Sequence, residues 1–269
     1  MLENISIGRY YKADSLLHRT DPRVKSILYV LYLAAIFMIS TPQAIIALTV
    51  VTALQLFLGK IKPNILWTTL KPILPLAIFI MILNVFTIRQ GETLLEWKII
   101  KITDYGIYRA VLMSVRILFL IVTTSILLTL TTTPLKISDA LEKLFAPLKV
   151  IKVPVHEMAM MMSIALRFIP TLVAETDKIM KAQVSRGADY DTGTFINRIK
   201  GYITVLIPLF VSSFKRAEEL AVAMDARCYK GGEGRTKLNS LKMTLQDVLI
   251  GLFLGLCAVL LVVIDLSLR

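Results

Sequence analysis

The sequence predicts an all-α membrane protein with five transmembrane helices and a cytoplasmic three-helix domain that contains two long amphipathic helices. Hydrophobic residues make up 56% of the chain, and they concentrate in runs long enough to cross a bilayer core of about 30 Å. The segment between the fourth and fifth runs instead places apolar residues about every 3.6 positions, as amphipathic helices do. A formal net charge of +12 then indicates basic cytoplasmic loops rather than a nucleic-acid partner.

Five runs have the length and composition of transmembrane helices. Asp21 can cap the first of them, and Pro22 suits its first turn. A tight turn at residues 41–42 separates the first run from the second. The fourth carries Arg109, which we expect at the outer interface, and Arg116, which we expect to pair inside the protein. The predicted spans are residues 24–40, 43–59, 72–88, 106–131 and 247–268.

Basic residues set the expected orientation of these spans. Lys60, Lys62 and Lys71 lie between the second and third spans, whereas the turn between the first and second is uncharged. Under the positive-inside rule, the N-terminus is therefore cytoplasmic. The loop at 89–105 is then external, the long segment before the fifth span is cytoplasmic, and the chain ends outside.

The long cytoplasmic segment predicts three amphipathic helices, at residues 134–151, 153–187 and 195–227. Each of the two longer helices holds one internal proline, Pro170 or Pro208, which we expect to bend it. Apolar stretches in both leave open the alternative that they enter the bilayer. We expect them to lie along the cytoplasmic interface, because each apolar stretch is shorter than a span or is interrupted within it.

These elements predict three regions along the chain. Residues 1–133 form an N-terminal membrane domain with four transmembrane helices, and residues 134–242 form the cytoplasmic domain. Residues 243–269 form the C-terminal transmembrane helix, in which Gly251 and Gly255 form a GxxxG pattern suited to close helix packing.

The two long helices end in the same short pattern, an arginine between two small residues. One such end is explained as a charged cap, since a cation is favourable beside the unpaired carbonyls of a helix C-terminus. In that interpretation Gly187 is the C′ residue. Two such ends favour a binding role, because small neighbours leave each guanidinium free to pair with a carboxylate in a partner's groove. The residues of the two ends are Ser185, Arg186, Gly187, Ala226, Arg227 and Cys228.

Four methionines lie close together near the start of the first long helix, at Met158, Met160, Met161 and Met162. Methionine is flexible and polarisable, so a methionine surface can repack against different partners. Packing against lipid or within a core is the favoured explanation of such a cluster when it is considered alone.

Two other functional classes stay open from the residues alone. A secondary transporter typically has inverted repeats and ionisable groups at mid-membrane, whereas the two similar segments here are in direct repeat. A membrane phosphotransferase needs several aspartates on neighbouring helix turns to hold metal, and Asp225 is the single one near the second arginine. With two histidines and two cysteines, the chain offers no histidine-rich metal site.

The chain resembles the transmembrane T component, the EcfT family, of energy-coupling factor (ECF) transporters, which are the vitamin-uptake branch of the ABC transporters. The resemblance covers nearly the whole length and rests on residues 14–25, 165–188 and 206–235. The mark of the family is a pair of X-Arg-X motifs that end two coupling helices, often as Ala-Arg-Gly. Cys228 departs from the commoner glycine but remains small.

The resemblance implies a scaffold without a catalytic site, cofactor or metal, in the plasma membrane of a prokaryote. Two cytoplasmic ABC-type ATPases hydrolyse ATP, and a small membrane S component captures the vitamin; several interchangeable S components can share one T component. Carried over to this sequence, Arg186 docks one ATPase and Arg227 docks the other. A T component of cobalt or nickel uptake stays the nearest alternative. The expected S-component contacts are Met158, Met161, Met162, Ala165 and Ile169.

Overall fold

The computed structural model describes residue 11 and residues 13–88, 90–97, 100–188, 195–231, 241 and 243–268. These residues divide into two compact units. The described residues between Gly8 and Ala140 and between Leu241 and Arg269 form the first unit, and those between Leu141 and Ser240 form the second.

The described chain is nearly all helical. Its elements are α1 (Leu16–Arg19), α2 (Pro22–Met38), α3 (Pro42–Gly59), α4 (Pro63–Leu70), α5 (Leu74–Thr87), β1 (Thr93–Trp97), β2 (Ile100–Thr103), α6 (Asp104–Thr124) with a π-helical continuation (Ser125–Leu130), α7 (Pro134–Leu144), a 3₁₀ helix (Ala146–Ile151), α8 (Val155–Ser185), α9 (Phe195–Ala226) and α10 (Leu245–Ser267).

Four of the described helices have the length and composition to cross a membrane: α3, α6 with its π-helical continuation, α8 and α10. Helices α4 and α5 together form a fifth, bent candidate. The protein is therefore a multi-pass membrane protein. Helix α2 has 17 residues, which is about 25 Å at 1.5 Å per residue, slightly less than the bilayer core. Because α8 also meets the length and composition test, its expected place along the interface stays a prediction.

The start of α2 confirms its expected cap, since the side chain of Asp21 accepts a hydrogen bond from the backbone of Arg23 and Pro22 is the first helical residue. Proline suits this position because its missing N–H has no partner there in any helix. The same reason places proline at the first residue of α3, α4 and α7.

The third predicted span, residues 72–88, corresponds to α5, Leu74–Thr87. The sequence did not predict the helix before it, α4, which is bent by 56° from α5 at a short break. The physical reason for the break is Pro72, which lacks an N–H donor and so cannot continue the hydrogen bonding of α4. The chain therefore leaves α4 at Leu70 and resumes at Leu74.

The connection at 89–105 contains an antiparallel β-hairpin, which the sequence did not predict. Strand β1 pairs with β2 from Thr93 opposite Thr103 to Trp97 opposite Ile100. Each strand is far too short to resemble a span, and only a few β-branched residues mark the segment as strand. Residues 89, 98 and 99 lie outside the described part of the chain.

The core of the first unit surrounds α2. The hydroxyl of Tyr32, which has no exposed surface, donates to the carbonyl oxygen of Leu254 at 2.8 Å. At Gly251 a β-carbon would lie 2.7 Å from Cγ1 of Val24, so glycine is required for α10 to approach α2 this closely. Buried apolar residues around them come from α3, the π-helical segment and α10: Ala44, Leu48, Ile126, Leu127, Leu130, Ala258 and Leu261.

A buried aspartate near the C-terminal end of α10 fixes the turn between α2 and α3. Asp265 is 1% exposed and accepts hydrogen bonds from the backbone N–H groups of Ser40 at 2.8 Å and Thr41 at 2.9 Å. It also accepts from the hydroxyls of both residues. Both residues directly precede α3, and Thr41 is its N-cap. Asp265 therefore locks α10 onto a turn that is more than 200 residues away in sequence.

Two basic side chains secure the ends of α2 within the same unit. Arg116 donates from Nη1 to the carbonyl oxygens of Phe37 and Ile39, which confirms that this arginine pairs inside the protein. At the other end, Nζ of Lys25 donates to the carbonyl oxygen of Thr131 at 3.0 Å and to Oγ1 of Thr132 at 3.1 Å. Both bonds tie α2 to α6 and its π-helical continuation.

Candidate functional site

The C-terminus of α8 ends in a Schellman motif with the first arginine at the C-cap. The N–H of Gly187 donates to the carbonyl oxygen of Val184 at 2.9 Å, and the N–H of Ala188 donates to Gln183 at 3.0 Å. Gly187 has φ +88°, the left-handed conformation that this motif requires at its C′ position. These bonds pair the carbonyls of Gln183 and Val184 with backbone donors, so the motif does not depend on the Arg186 side chain.

The C-terminus of α9 repeats the same motif bond for bond. The N–H of Cys228 donates to the carbonyl oxygen of Asp225 at 2.9 Å, and the N–H of Tyr229 donates to Met224 at 3.1 Å. Cys228 has φ +55° and takes the C′ place that glycine takes in α8. Arg227 is therefore presented from its helix end by the same backbone geometry as Arg186.

Both arginines are accessible to a partner. All six residues of the two ends are exposed. Within the residues that the structure describes, neither guanidinium has a hydrogen-bond or ion-pair partner of its own. Each end thus offers a planar, charged fork with five N–H donors, which suits bidentate binding of a carboxylate.

Two contacts show that α8 and α9 pack as an antiparallel pair. Near the start of α8, the Tyr229 hydroxyl donates to Sδ of Met160 at 3.0 Å. Further along, Glu175 of α8 accepts from Ser212 of α9 and pairs with Nη2 of Arg216 at 2.5 Å. Moving from Met160 to Glu175 along α8 therefore corresponds to moving backwards, from Tyr229 to Arg216, along the chain of α9.

The antiparallel arrangement places the two arginines at opposite ends of the helix pair. At 1.5 Å per residue, Met160 and Arg186 are about 39 Å apart along α8. Arg227 lies two residues before Tyr229, which contacts Met160. The two charged ends are thus separated by roughly 35–40 Å, a distance that suits two separate binding partners.

The Glu175 cluster is a brace that sequence reasoning missed. The sequence shows charged residues gathering in the second half of both long helices, but the pairing joins positions 41 residues apart. No local spacing rule identifies such a partner, because helix spacing predicts neighbours only at three or four positions. The brace fixes the register of α8 against α9, so it positions the arginine ends without contacting them.

We expect the brace to contribute about 1 kcal/mol of coupling energy, because the pair is half-buried and shares a second hydrogen bond. A double-mutant cycle of Glu175→Gln and Arg216→Gln on the free energy of unfolding measures it. The control is the exposed pair Asp177 and Lys181 on α8, for which we expect about 0.3–0.5 kcal/mol. Coupling no larger than that of the control would contradict the brace.

The expected S-component contacts lie on an exposed part of α8. Met158, Met161 and Met162 are 55%, 59% and 54% exposed, and Ala165 is exposed as well. Ile169 is half-buried, and Met160, which belongs to the same cluster, instead faces Tyr229. Helix α9 adds a stripe of exposed apolar side chains at helical spacing: Ile196, Ile199, Ile203, Ile207, Phe210 and Phe214.

The left-handed backbone at Gly187 and Cys228 predicts opposite changes in stability for substitutions at the two helix ends. Cys228→Gly is expected to stabilise the chain by up to about 1 kcal/mol, because a residue with a β-carbon is strained at positive φ. Gly187→Ala is expected to destabilise it by about 1 kcal/mol from the backbone alone, since no atom lies within 4 Å of the added β-carbon. Thermal unfolding of the purified chain measures both changes, and shifts of the same sign would contradict the matched motifs.

Comparisons with known proteins match most of the chain. The family model described as "Cobalt transport protein" (CbiQ) matches residues 13–238. The chain is 52% identical over 250 residues to the energy-coupling factor transporter transmembrane protein EcfT of Ruminiclostridium cellulolyticum, covering 93% of each chain. It is 44% identical over 270 residues to EcfT of Clostridium kluyveri, covering 100% of this chain and 98% of that one. It is 45% identical over 247 residues to EcfT of Bacillus subtilis, covering 92% and 93%.

Proposed function

Since this chain belongs to the EcfT family, the transmembrane components of energy-coupling factor transporters, we propose that it joins two cytoplasmic ATPases to a small substrate-binding membrane protein. In this proposal the chain is a scaffold that performs no catalysis. ATP hydrolysis by the two partners drives uptake of a vitamin or another micronutrient, and the small membrane protein selects the substrate.

The matched arginine ends are the observation that carries the proposal. Two exposed guanidinium groups, presented by the same Schellman motif, stand at opposite ends of one braced helix pair. Repeating the same charged end suits two related partners, each with an acidic groove. In this account Arg186 docks in one ATPase and Arg227 docks in the other. The small neighbouring residues leave each guanidinium free to enter its groove; they are Ser185, Gly187, Ala226 and Cys228.

The brace explains how movement of the ATPases reaches the rest of the assembly. When the ATPases close on ATP, the two docked helix ends move relative to each other. Because Glu175 links Arg216 and Ser212 across the pair, α8 and α9 respond together instead of sliding past one another. The exposed face with Met158, Met161 and Met162 then carries the small membrane protein with it, and tilting of that protein releases the substrate inward.

The proposal requires both arginines on the cytoplasmic side. The basic residues Lys60, Lys62 and Lys71 favour a cytoplasmic N-terminus by the positive-inside rule. With α8 and α9 along the cytoplasmic interface, both motifs face the ATPases. The location we propose is the plasma membrane of a prokaryote.

Uptake of cobalt or nickel is the second candidate function, and the description of the matching family model favours it. The relatives at 44–52% identity carry the general energy-coupling factor name instead. The two candidates share the same scaffold role, so they differ in the small membrane partner and its substrate.

Gentle detergent purification of the natively expressed chain, with mass spectrometry of the proteins that accompany it, tests the proposal. We expect two ABC-type ATPases together with small hydrophobic membrane proteins, whose identity separates vitamin uptake from cobalt or nickel uptake. A chain that purifies alone, or as a homodimer without ATPases, would overturn the scaffold role and favour a secondary transporter.

A further inference from the structure

The first unit contains a groove whose residues have no part in the proposed scaffold function. It lies between α1, the end of α3 and the start of α4, and has a volume of about 750 Å³. Its wall is mostly apolar, with Leu16, Leu56, Phe57 and Leu66 among the lining residues. Phe57 is 81% exposed, which is unusual for a phenyl ring unless lipid or a partner covers it.

The end of α3 places a lysine at the mouth of this groove. Lys60 has φ +49°, and its N–H donates to the carbonyl oxygen of Phe57 while the N–H of Ile61 donates to Leu56. This left-handed turn reverses the chain so that Ile61 is buried against Gly59 and Leu17. The Lys60 side chain is left exposed, directly beside the apolar wall.

The charged residues that line the groove, Asp14, Arg19 and Lys60, carry a net positive charge. Nε and Nη2 of Arg19 each donate to the carboxylate of Asp14 at 2.7 Å, so these two charges offset each other. The hydrogen bond from Arg19 holds the pKa of Asp14 below its usual value, which keeps the pair ionised. In the described part of the chain the ammonium group of Lys60 has no hydrogen-bond or ion-pair partner, and its charge also helps to lower the pKa of Asp14.

We propose that this groove binds one anionic phospholipid, with its phosphate beside Lys60 and an acyl chain along Phe57 and Leu66. The groove opens at the end of α3, a helix apolar enough to span the membrane, so it lies where headgroups meet acyl chains. A basic group beside apolar surface at that level complements a charged headgroup with a hydrocarbon tail. A free phosphate ion would leave the apolar wall uncovered.

Native mass spectrometry of the purified full-length chain tests this site. The chain is exchanged into mild detergent with equal amounts of phosphatidylglycerol and phosphatidylcholine, and the retained lipids are counted. We expect one phosphatidylglycerol per chain in preference to phosphatidylcholine. Lys60→Gln is expected to reduce its retention about fivefold, and Lys62→Gln, the matched control outside the groove lining, by less than twofold.

Three results would overturn the proposal. They are equal retention by Lys60→Gln and Lys62→Gln, no preference for the anionic lipid by the native chain, and displacement of the lipid by millimolar inorganic phosphate. Phe57→Ser tests the apolar wall separately, and the exposure of Phe57 means that folding should tolerate the change. It should lower retention of both lipids, and unchanged retention would contradict the groove. The ATPases are absent from this experiment, so its result is independent of the scaffold role.

Discussion

The double variant Arg186→Ala, Arg227→Ala is expected to abolish ATP-driven uptake by the assembled transporter in membrane vesicles. Each substitution removes a charged fork and leaves an acidic group of the partner unpaired, which typically costs about 2–5 kcal/mol at an interface. That cost corresponds to roughly 30-fold to several thousand-fold weaker docking at each end. Each single variant should retain partial uptake, because one ATPase is still held firmly.

The chain itself should fold normally in these variants. Both Schellman motifs are made by backbone groups, and both arginine side chains are exposed. Arg167→Ala is the matched control, since Arg167 is another exposed arginine of α8 that lies outside the motifs. Normal uptake by the double variant, or an equal loss in the control, would contradict docking through the arginine ends.

The second large effect concerns the stability of the membrane unit. Asp265→Leu should destabilise it by about 3–5 kcal/mol, because it leaves buried N–H and hydroxyl groups of Ser40 and Thr41 without an acceptor. The thermal unfolding midpoint in detergent measures the loss. The adjacent Leu266→Ala is the control, since Leu266 is exposed and should change stability by less than about 1 kcal/mol. A similar loss of stability in both variants would show that the hydrogen bonds of Asp265 to Ser40 and Thr41 do not stabilise the unit.

The sequence predicts the order of the helices well because long apolar runs and local caps carry strong signals. Asp21 and Pro22 mark the start of α2 where the structure has it, and the two long helices end within two residues of their predicted ends. The bend at Pro72 and the hairpin at Thr93–Thr103 were missed. Both are short features inside or beside a strong apolar signal, which hides them.

The candidate site shows the same division between local and long-range information. Small-Arg-small repeats are local, so the sequence identifies both arginine ends. The left-handed conformation of Cys228 is not apparent from its residue type, since glycine or asparagine is usual there. The brace of Glu175 with Arg216 depends on packing between helices, and the lock at Asp265 depends on packing across most of the chain.

Site-specific photo-crosslinking from the two helix ends tests the central claim most directly. A photoreactive amino acid replaces Ser185 or Ala226, next to each arginine, and Tyr105 serves as an exposed control in the first unit. The account predicts that both positions crosslink to an ABC-type ATPase in native membranes, whereas position 105 does not. Crosslinks from 185 and 226 that reach lipid alone, or a protein other than an ATPase, would contradict it.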